Sequence, residues 1–275
     1  MTPTIFAVAF SIGSLNVRWY GIIIACAMAL GIFLACQEAK RQHQNTDHLL
    51  NMLLIMIPCA VVGARLYYVL FNWDQYAGSF IDIISVWHGG LAIHGGIIAG
   101  TLAVLIYCRV KKTDFFRWAD IVTPSLVLGQ AIGRWGNFAN HEAFGPVIED
   151  GSFWSWVPLQ VFSDGAYHHP TFLYESVWDL LIFIALMILI RKRHKIGQVF
   201  ASYLILYSIG RFFIEALRTD SLMLGVLKMA QMVSLAGIAL GIMILICLRK
   251  RPALDVSAPP VTGRSAKAVA NKNRK

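Results

Sequence analysis

The sequence is poor in charge. Only 14% of its 275 residues are Asp, Glu, Lys or Arg, whereas a soluble domain usually has about a quarter. The shortage falls in long apolar stretches: residues 20–36 contain no charged side chain, and residues 49–73 contain only Arg65. This pattern excludes an ordinary soluble enzyme and predicts an all-α polytopic membrane protein.

Apolar runs recur along the chain, at residues 20–36, 49–73, 93–107, 121–132, 172–190, 199–214 and 222–248. A membrane-spanning helix needs roughly 20 mostly apolar residues. The runs at 93–107 and 121–132 are shorter and contain glycine, so we expect them to span only if adjacent polar residues complete them. We expect about seven transmembrane helices in one membrane domain, residues 1–250.

Metal and disulfide signatures are missing. The five cysteines show no zinc-site or disulfide spacing, and no HExxH motif occurs. His88 and His94 are six residues apart, which separates them by about 120° on a helix. We therefore expect no metal and no cofactor. A cleavable secretory signal is also missing at the N-terminus, so the first helix is expected to be an uncleaved anchor.

The basic residues predict an orientation. Most of the 24 Lys and Arg side chains fall in residues 37–48, 108–118, 191–197 and the tail from 249. Basic loops favour the cytoplasmic side, which predicts an outside N-terminus and a cytoplasmic C-terminus. The net charge of +9 therefore indicates contact with the lipid bilayer rather than a nucleic acid. The tail, residues 251–275, is predicted to be basic and disordered.

Six basic residues oppose this bias: Arg18, Arg65, Arg134, Arg211, Arg218 and Lys228. Arginine within a span is costly and usually marks a paired or functional site. At about 1.5 Å of helix rise per residue, Arg134 and Arg211 lie roughly 24 and 20 Å above the cytoplasmic ends of their spans, and His94 roughly 22 Å. We therefore expect these three side chains at one depth in the outer leaflet.

Polar side chains accompany both arginines. Tyr207, Arg211 and Glu215 follow one another at intervals of four and share one helical face. Arg134 and Asn137 share a face in "GRWGNFANHEAFG", and Glu142 follows as the helix ends. Two interpretations remain open. The arginines are structural ion pairs, Arg211 with Glu215 and Arg134 with Glu142, or they bind an anion such as phosphate, whose oxygens match a guanidinium fork.

Further polar residues and glycines accompany these motifs. Glu175 and Asp179 are four residues apart in "HHPTFLYESVWD" and face the same way. In "WHGGLAIHGG" the glycines permit close backbone approach or an unwound turn beside His94. Gly96 and Gly100 form a GxxxG pair, a pattern typical of helix packing.

Taken together, "WHGGLAIHGG", "GRWGNFANHEAFG", "HPTFLYE" and "LYSIGRFFIEALR" resemble the bacterial prolipoprotein diacylglyceryl transferases. The resemblance extends from about residue 12 to 248. It implies a seven-span enzyme of the bacterial plasma membrane. Its substrates would be phosphatidylglycerol and prolipoprotein signal peptides. The diacylglyceryl group would pass to the lipobox cysteine thiol, a thioether would form and glycerol phosphate would leave.

The resemblance also assigns roles to residues. It makes His94, rather than His88, the essential histidine, and Arg134 and Arg211 the residues that hold the lipid phosphate. The other positions that match the family pattern are expected to bind substrate: Tyr20, Asn137, Glu142, Gly145, Tyr207 and Glu215. His141 and His169 depart from the pattern, and the loop between Gly145 and His168 is short, which leaves the prolipoprotein docking surface undefined.

The implied mechanism is displacement at a glyceryl carbon. His94 would take the thiol proton, Arg134 and Arg211 would stabilise the leaving phosphate, and Glu142 and Glu215 would orient the guanidiniums. Two other functions remain open on the residues alone. A transporter would use the same polar groups to line a path, and another phospholipid-headgroup enzyme, such as a lipid phosphatase, also needs arginine and histidine.

Overall fold

The computed structural model describes residues 8–13, 15–149, 151–163, 165–192, 194–218, 223–224, 227–250 and 253. The prediction of a basic tail at 251–275 therefore lies almost wholly outside the described residues. The described part is mainly helical. Its helices are α1 (Trp19–Arg41), α2 (Thr46–Phe71), α3 (Trp73–Tyr76), α4 (Phe80–Ile84), α5 (Ile93–Lys111), α6 (Phe115–Ala139), α7 (Thr171–Arg191), α8 (Gln198–Leu217) and α9 (Met229–Leu248).

The described strands form three small antiparallel hairpins. These strands are β1 (Val8–Ile12), β2 (Leu15–Arg18), β3 (Val161–Ser163), β4 (Ala166–His168), β5 (Met223–Leu224) and β6 (Leu227–Lys228). Single 3₁₀ turns occur at Val86–His88 and Phe153–Trp156. Each pair of strands is sequential and none builds a larger sheet among the described residues.

Six of the described helices are long and apolar enough to cross a membrane, namely α1, α2, α5, α7, α8 and α9. This confirms a polytopic all-α membrane protein. The helix α6 is also long, with 25 residues, but it carries Arg117, Asp120 and Arg134. The two short apolar runs at 93–107 and 121–132 lie within α5 and α6, which extend them with adjacent polar residues and continue through their glycines.

The chain divides into two compact units. The first consists of residues 1–38 and 119–275, and the second of residues 39–118.

In the second unit, α2 and α5 pack closely because small residues line the contact. A Cβ atom on Gly95 would collide with the backbone of Gly63 and with Tyr67. A Cβ atom on Gly96 would lie 3.3 Å from the carbonyl oxygen of Ala60. Gly100 faces Met56 and Ala60 in the same way. The GxxxG pair at 96 and 100 therefore lies in this helix contact.

In the first unit, α6, α7 and α8 share an apolar core. Its fully buried members are Val127, Ile182, Leu186, Ile190, Val199 and Tyr203. Asp120 of α6 accepts hydrogen bonds from the backbone N–H groups of Gly197 (2.6 Å) and Phe200 (2.8 Å) at the start of α8. These are donors that a helix leaves unsatisfied within itself. Asp120 thus fixes the start of α8 against α6.

Two residues from neighbouring elements contact the C-terminal half of α8. Trp178 of α7 lies directly over Gly210, where any larger residue would collide with the indole. Its Nε1 donates to the carbonyl oxygen of Leu206 at 3.0 Å. At the end of α8, Nζ of Lys228 donates to the carbonyl oxygens of Glu215 (2.8 Å) and Arg218 (2.5 Å). A cation is favourable beside carbonyls at a helix C-terminus, which explains one of the six basic residues singled out above.

Candidate anion-binding site

Arg134 and Arg211 of the first unit are joined by one carboxylate. Nε of Arg134 on α6 lies 2.8 Å from Oε2 of Glu175 on α7. The other oxygen of Glu175 pairs with Nη1 of Arg211 on α8. Nη2 of Arg211 lies 2.5 Å from Oε2 of Glu215. Three neighbouring helices thus contribute to one continuous network of two guanidiniums and two carboxylates.

The network is largely withdrawn from solvent, though not closed. The side chains of Glu175 and Glu215 are about 6% and 5% exposed, while those of Arg134 and Arg211 retain 18% and 16%. Low exposure strengthens each charge interaction, and it makes an unpaired charge expensive. The arginines are therefore the members of the network that a ligand can reach most readily.

Arg134 and Arg211 differ in what they can still bind. Arg211 uses both terminal nitrogens on carboxylates. Arg134 is engaged through Nε, and within the described part of the chain no partner is recorded for its two terminal nitrogens. Paired N–H groups of this kind match two oxygens of a phosphate. The terminal nitrogens of Arg134 are thus the donors of this network that are not paired with a carboxylate among the described residues.

Three further residues surround the network. Tyr207 on α8 stacks on Tyr203 with ring centroids 5.4 Å apart, and it precedes Arg211 by one helical turn. Asp179, one turn after Glu175 on α7, is 1% exposed. Its Oδ2 atom is buried without a hydrogen-bond partner among the described residues, although its charge interacts with both arginines.

The faces of α6 and α7 that meet here are set by hydrogen bonds between the helices. Nε1 of Trp135 donates to Oγ of Ser176 at 3.1 Å. Oγ of Ser176 donates in turn to the carbonyl oxygen of Ala131 at 2.8 Å. Because Trp135 and Ser176 are the immediate neighbours of Arg134 and Glu175 in sequence, these bonds fix the register at which Glu175 meets the guanidinium.

The remaining predicted substrate-binding residues of the first unit lie around the end of α6. Asn137 follows Arg134 by three residues and is half-buried. Tyr20, at the start of α1, lies against Gly136, where a Cβ atom would come 2.7 Å from its ring. Tyr20 is 38% exposed. It thus lies next to the "GRWGNFANHEAFG" segment, which contains Gly136.

Glu142 does not pair with Arg134, and both predictions that linked them, the structural pair and the orienting role, are wrong. The helix α6 ends at Ala139, and Glu142 lies exposed in the following turn. There it accepts a hydrogen bond from Nδ2 of Asn140 at 3.4 Å. Glu175 takes the place that the sequence suggested for Glu142. The predicted pair of Arg211 with Glu215 is present.

Gly145 serves packing of the loop after α6. A Cβ atom there would lie 2.8 Å from Cβ of His169 and 3.3 Å from the carbonyl oxygen of Leu217. Its N–H donates to the carbonyl oxygen of His169 at 2.9 Å. His169 lies outside the spans, its ring contacts the hydroxyl of Tyr174 at 3.0 Å, and burial lowers its pKa. Gly145 therefore joins this loop to the start of α7.

His94 belongs to the second unit, in the first turn of α5. Its side chain is exposed, and its ring lies 6.3 Å from that of Tyr67 on α2. The helix α5 is regular at His94, and the residues with positive φ come before it, at Gly89 (+84°) and Gly90 (+72°). Of the two possibilities for the glycines beside His94, Gly95 makes a close backbone approach to α2, and the turn with positive φ precedes the helix.

Comparison with known proteins identifies the family. A model of the prolipoprotein diacylglyceryl transferase family matches residues 7–247. The chain belongs to this family. The resemblance inferred from the four motifs is thereby confirmed, and the chain is an enzyme of the transferase class.

Similar curated proteins cover most of this chain. One from Clostridium botulinum (strain Langeland / NCTC 10281 / Type F) is 50% identical over 238 residues, which cover 86% of this chain and 94% of the relative. One from Staphylococcus haemolyticus (strain JCSC1435) is 46% identical over 268 residues, covering 94% and 95%. Both are named phosphatidylglycerol–prolipoprotein diacylglyceryl transferase.

Proposed function

We propose that this family member transfers the diacylglyceryl group of phosphatidylglycerol to the thiol of a lipobox cysteine in prolipoprotein signal peptides, as the first step of bacterial lipoprotein maturation. The names of the relatives support these substrates. The observation that carries the proposal at the level of chemistry is the buried network in which Glu175 joins Arg134 to Arg211. Such a network provides cationic groups for a lipid phosphate within an apolar protein.

Arg134 makes the main contact with the phosphate. Its Nε forms an ion pair with Glu175, which keeps the guanidinium beside α7, and its terminal nitrogens can bind two phosphate oxygens. Arg211 is less available to the phosphate, because both of its terminal nitrogens already form ion pairs with carboxylates. Arg211 supplies positive charge and keeps Glu175 in place. The side chains of Asn137, Tyr20 and Tyr207 offer hydrogen bonds to the headgroup.

The reaction is a substitution at the glyceryl carbon that carries the phosphate. The cysteine sulfur forms a C–S bond to that carbon, the C–O bond to phosphate breaks, and glycerol phosphate leaves with the bonding electrons. A free thiol has a pKa near 8.5, so little thiolate exists at neutral pH. His94 accepts the thiol proton as the sulfur attacks. The guanidiniums stabilise the charge that grows on the leaving phosphate.

The membrane arrangement is part of this proposal. Six described helices qualify as spans by length and composition, and α6 is the seventh, since its 25 residues are long enough to cross. Its charges are accommodated within the protein: Asp120 binds the start of α8 and Arg134 binds Glu175. Seven spans place the N-terminus outside and the basic C-terminus in the cytoplasm, which agrees with the distribution of Lys and Arg. The enzyme lies in the bacterial plasma membrane.

A transfer assay tests the proposal. The purified protein is incubated in detergent or vesicles with phosphatidylglycerol and a lipobox peptide, and the mass of the peptide is measured by mass spectrometry. We expect a gain of one diacylglyceryl unit and the release of glycerol phosphate. A matched peptide with serine in place of the cysteine should gain nothing. Solute flux across the vesicles or release of inorganic phosphate, without a gain in peptide mass, would instead support a transporter or a lipid phosphatase.

A further inference from the structure

Arg65 is buried in the second unit, and its guanidinium forms hydrogen bonds with one short segment of the chain, residues 82–90. It lies on α2 and is 4% exposed. Its Nη1 donates to the carbonyl oxygens of Gly89 (2.7 Å) and Gly90 (3.0 Å). Its Nε donates to the carbonyl oxygen of Ile83 at 2.9 Å, and its Nη2 to that of Asp82 at 2.5 Å. All three nitrogens of this guanidinium are thus bonded to the segment 82–90.

The hydrogen-bond partners of Arg65 are not acidic side chains, so its role differs from that of an ion pair. Each recorded hydrogen-bond partner is a neutral backbone carbonyl, and the guanidinium also lies 4.9 Å from the ring centroid of Tyr76. A guanidinium within a membrane protein is expensive to bury and is usually paired or functional. Here its donors cross-link the two ends of a short segment, from Asp82 to Gly90, and hold it in one conformation.

Gly90 is shaped to receive this side chain. Its φ angle is +72°, a region that glycine adopts without strain. A Cβ atom on Gly90 would lie 2.5 Å from Nη1 of Arg65 and 2.8 Å from the ring of Tyr68. The carbonyl of Gly89, with φ of +84°, turns toward the same nitrogen. Glycine at both positions of "WHGG" therefore allows the backbone turn that directs the two carbonyls to Arg65.

The same part of α2 holds the start of α5. The N–H of Ala92, which precedes the first residue of α5, donates to the carbonyl oxygen of Ala64 at 3.0 Å. Gly95 then packs against Gly63 and Tyr67. His94 lies between these two anchors, and its ring is 6.3 Å from that of Tyr67. The segment around Arg65 thus sets where α5 begins and how His94 is presented.

We propose that Arg65 is a positioning residue for His94. By fixing the carbonyls of Gly89 and Gly90, it holds the loop that determines the first turn of α5 and the direction of the imidazole. Arg65 itself need not touch a substrate. The catalytic part of this inference rests on the proposed function, because it takes His94 as the group that accepts the thiol proton.

The experiment uses Arg65→Lys and Arg65→Gln in the full-length protein, with Arg109→Lys at the cytoplasmic end of α5 as the matched control. Gly90→Ala disturbs the same contact from the loop side. Two properties are measured that need no catalysis: hydrogen exchange of the backbone amides of residues 86–96, and the rate at which diethyl pyrocarbonate modifies His94. Transfer kinetics are then measured with phosphatidylglycerol as the varied substrate.

We expect both Arg65 variants and Gly90→Ala to exchange faster at residues 86–96 and to show an altered rate of His94 modification. Their kcat should fall at least about 10-fold, with the KM for phosphatidylglycerol within about 2-fold of wild type, since effects on orientation act on the chemical step. Lysine should restore part of the kcat that glutamine loses, because it can still donate to the loop carbonyls. Arg109→Lys should match wild type throughout.

Folded Arg65 variants with wild-type exchange and wild-type modification of His94 would overturn the positioning role. Altered modification with unchanged kcat would overturn its importance for the reaction. A wild-type protein that modifies no peptide would instead contradict the proposed function, and the exchange and modification data would still decide whether Arg65 positions His94. If a variant fails to fold, the remaining two give the same comparison.

Discussion

Nε of Arg134 lies 2.8 Å from Oε2 of Glu175, so the signature block of α6 is tied to a carboxylate of α7. The other oxygen of that carboxylate pairs with Arg211 on α8. One acidic side chain therefore pairs with both arginines of this network.

Glu175→Gln should impair the enzyme more than any other single carboxylate change. An amide carries no charge, and removing one partner of a buried ion pair costs about 3–5 kcal/mol. We expect a lower thermal midpoint in detergent and a fall in kcat/KM on the order of 100-fold, since both guanidiniums lose their anchor. Glu149→Gln, at an exposed loop position, is the control. Wild-type stability and transfer in Glu175→Gln would contradict the role of this network.

Arg134→Lys should mainly lower transfer activity, whereas Arg211→Lys should mainly lower thermal stability. At position 134 we expect a loss of kcat/KM on the order of 100-fold with a small change in thermal midpoint, because an ammonium cannot fork two phosphate oxygens. At position 211 we expect the larger drop in thermal midpoint, since one ammonium cannot hold Glu175 and Glu215 as the guanidinium does. Arg191→Lys, at the exposed end of α7, should be neutral. A larger loss of activity in Arg211→Lys, with the larger loss of stability in Arg134→Lys, would show that Arg211 makes the main phosphate contact.

His94→Gln should abolish transfer, whereas His88→Gln should retain most of it. Glutamine keeps hydrogen-bonding capacity but cannot accept a proton at neutral pH, so the comparison isolates the base. Single-turnover transfer to a lipobox peptide is the measurement. Normal transfer by His94→Gln would contradict the assignment of His94 as the base. Loss of transfer in His88→Gln would indicate that His88 is the base instead.

Asp179→Asn should tighten the binding of anionic lipid. The carboxyl group is buried, its Oδ2 has no hydrogen-bond partner within the described residues, and it interacts with both arginines. As a third carboxyl beside two guanidiniums, it opposes the approach of a phosphate whenever it is ionised. We expect a lower KM for phosphatidylglycerol at pH 7 with kcat little changed. A higher KM would show that this carboxylate instead receives a headgroup hydroxyl.

His169 should make stability sensitive to mild acid. Burial lowers its pKa in the folded protein, so the unfolded chain, with a histidine pKa near 6.5, binds the proton more tightly. The contribution of the neutral ring is complete above about pH 6.5 and is lost as the pH falls below that value. The thermal midpoint should decline as the pH falls below about 6.5, and less steeply in His169→Gln. Parallel curves for the two proteins would rule this out.

Several features of the protein could be read without coordinates. The apolar runs predicted membrane helices, and six of them qualify as spans. The four-residue spacing of Arg211 and Glu215 predicted their ion pair. The GxxxG spacing of Gly96 and Gly100 predicted a helix contact. Each of these depends on helical periodicity, which is a local property of the chain.

The partner of Arg134 could not be chosen in this way. Glu142 is nearer in sequence, but α6 ends at Ala139 and the chain turns through His141 and Ala143, whose φ angles are +54° and +59°. Glu175 was visible as an intramembrane acid on a face shared with Asp179. Its contact with Arg134 depends on how α7 packs on α6, and hydrogen bonds such as that of Trp135 to Ser176 set this register.

Arg65 was likewise visible as a charge within an apolar run, although nothing local pointed to its partners. They are carbonyl oxygens of residues 82, 83, 89 and 90. Backbone carbonyls occur at every residue, so no sequence pattern distinguishes the ones that a buried guanidinium will meet.

The amino-acid sequence by itself determined that this chain is a membrane protein of helices, which helical faces carry charge, and to which family its motifs belong. Only the tertiary structure decided that Glu175 joins Arg134 to Arg211, and that Arg65 binds the glycine loop before His94. The physical reason is that hydropathy and helical period act along the chain, whereas ion pairs in an apolar protein form wherever packing brings opposite charges together.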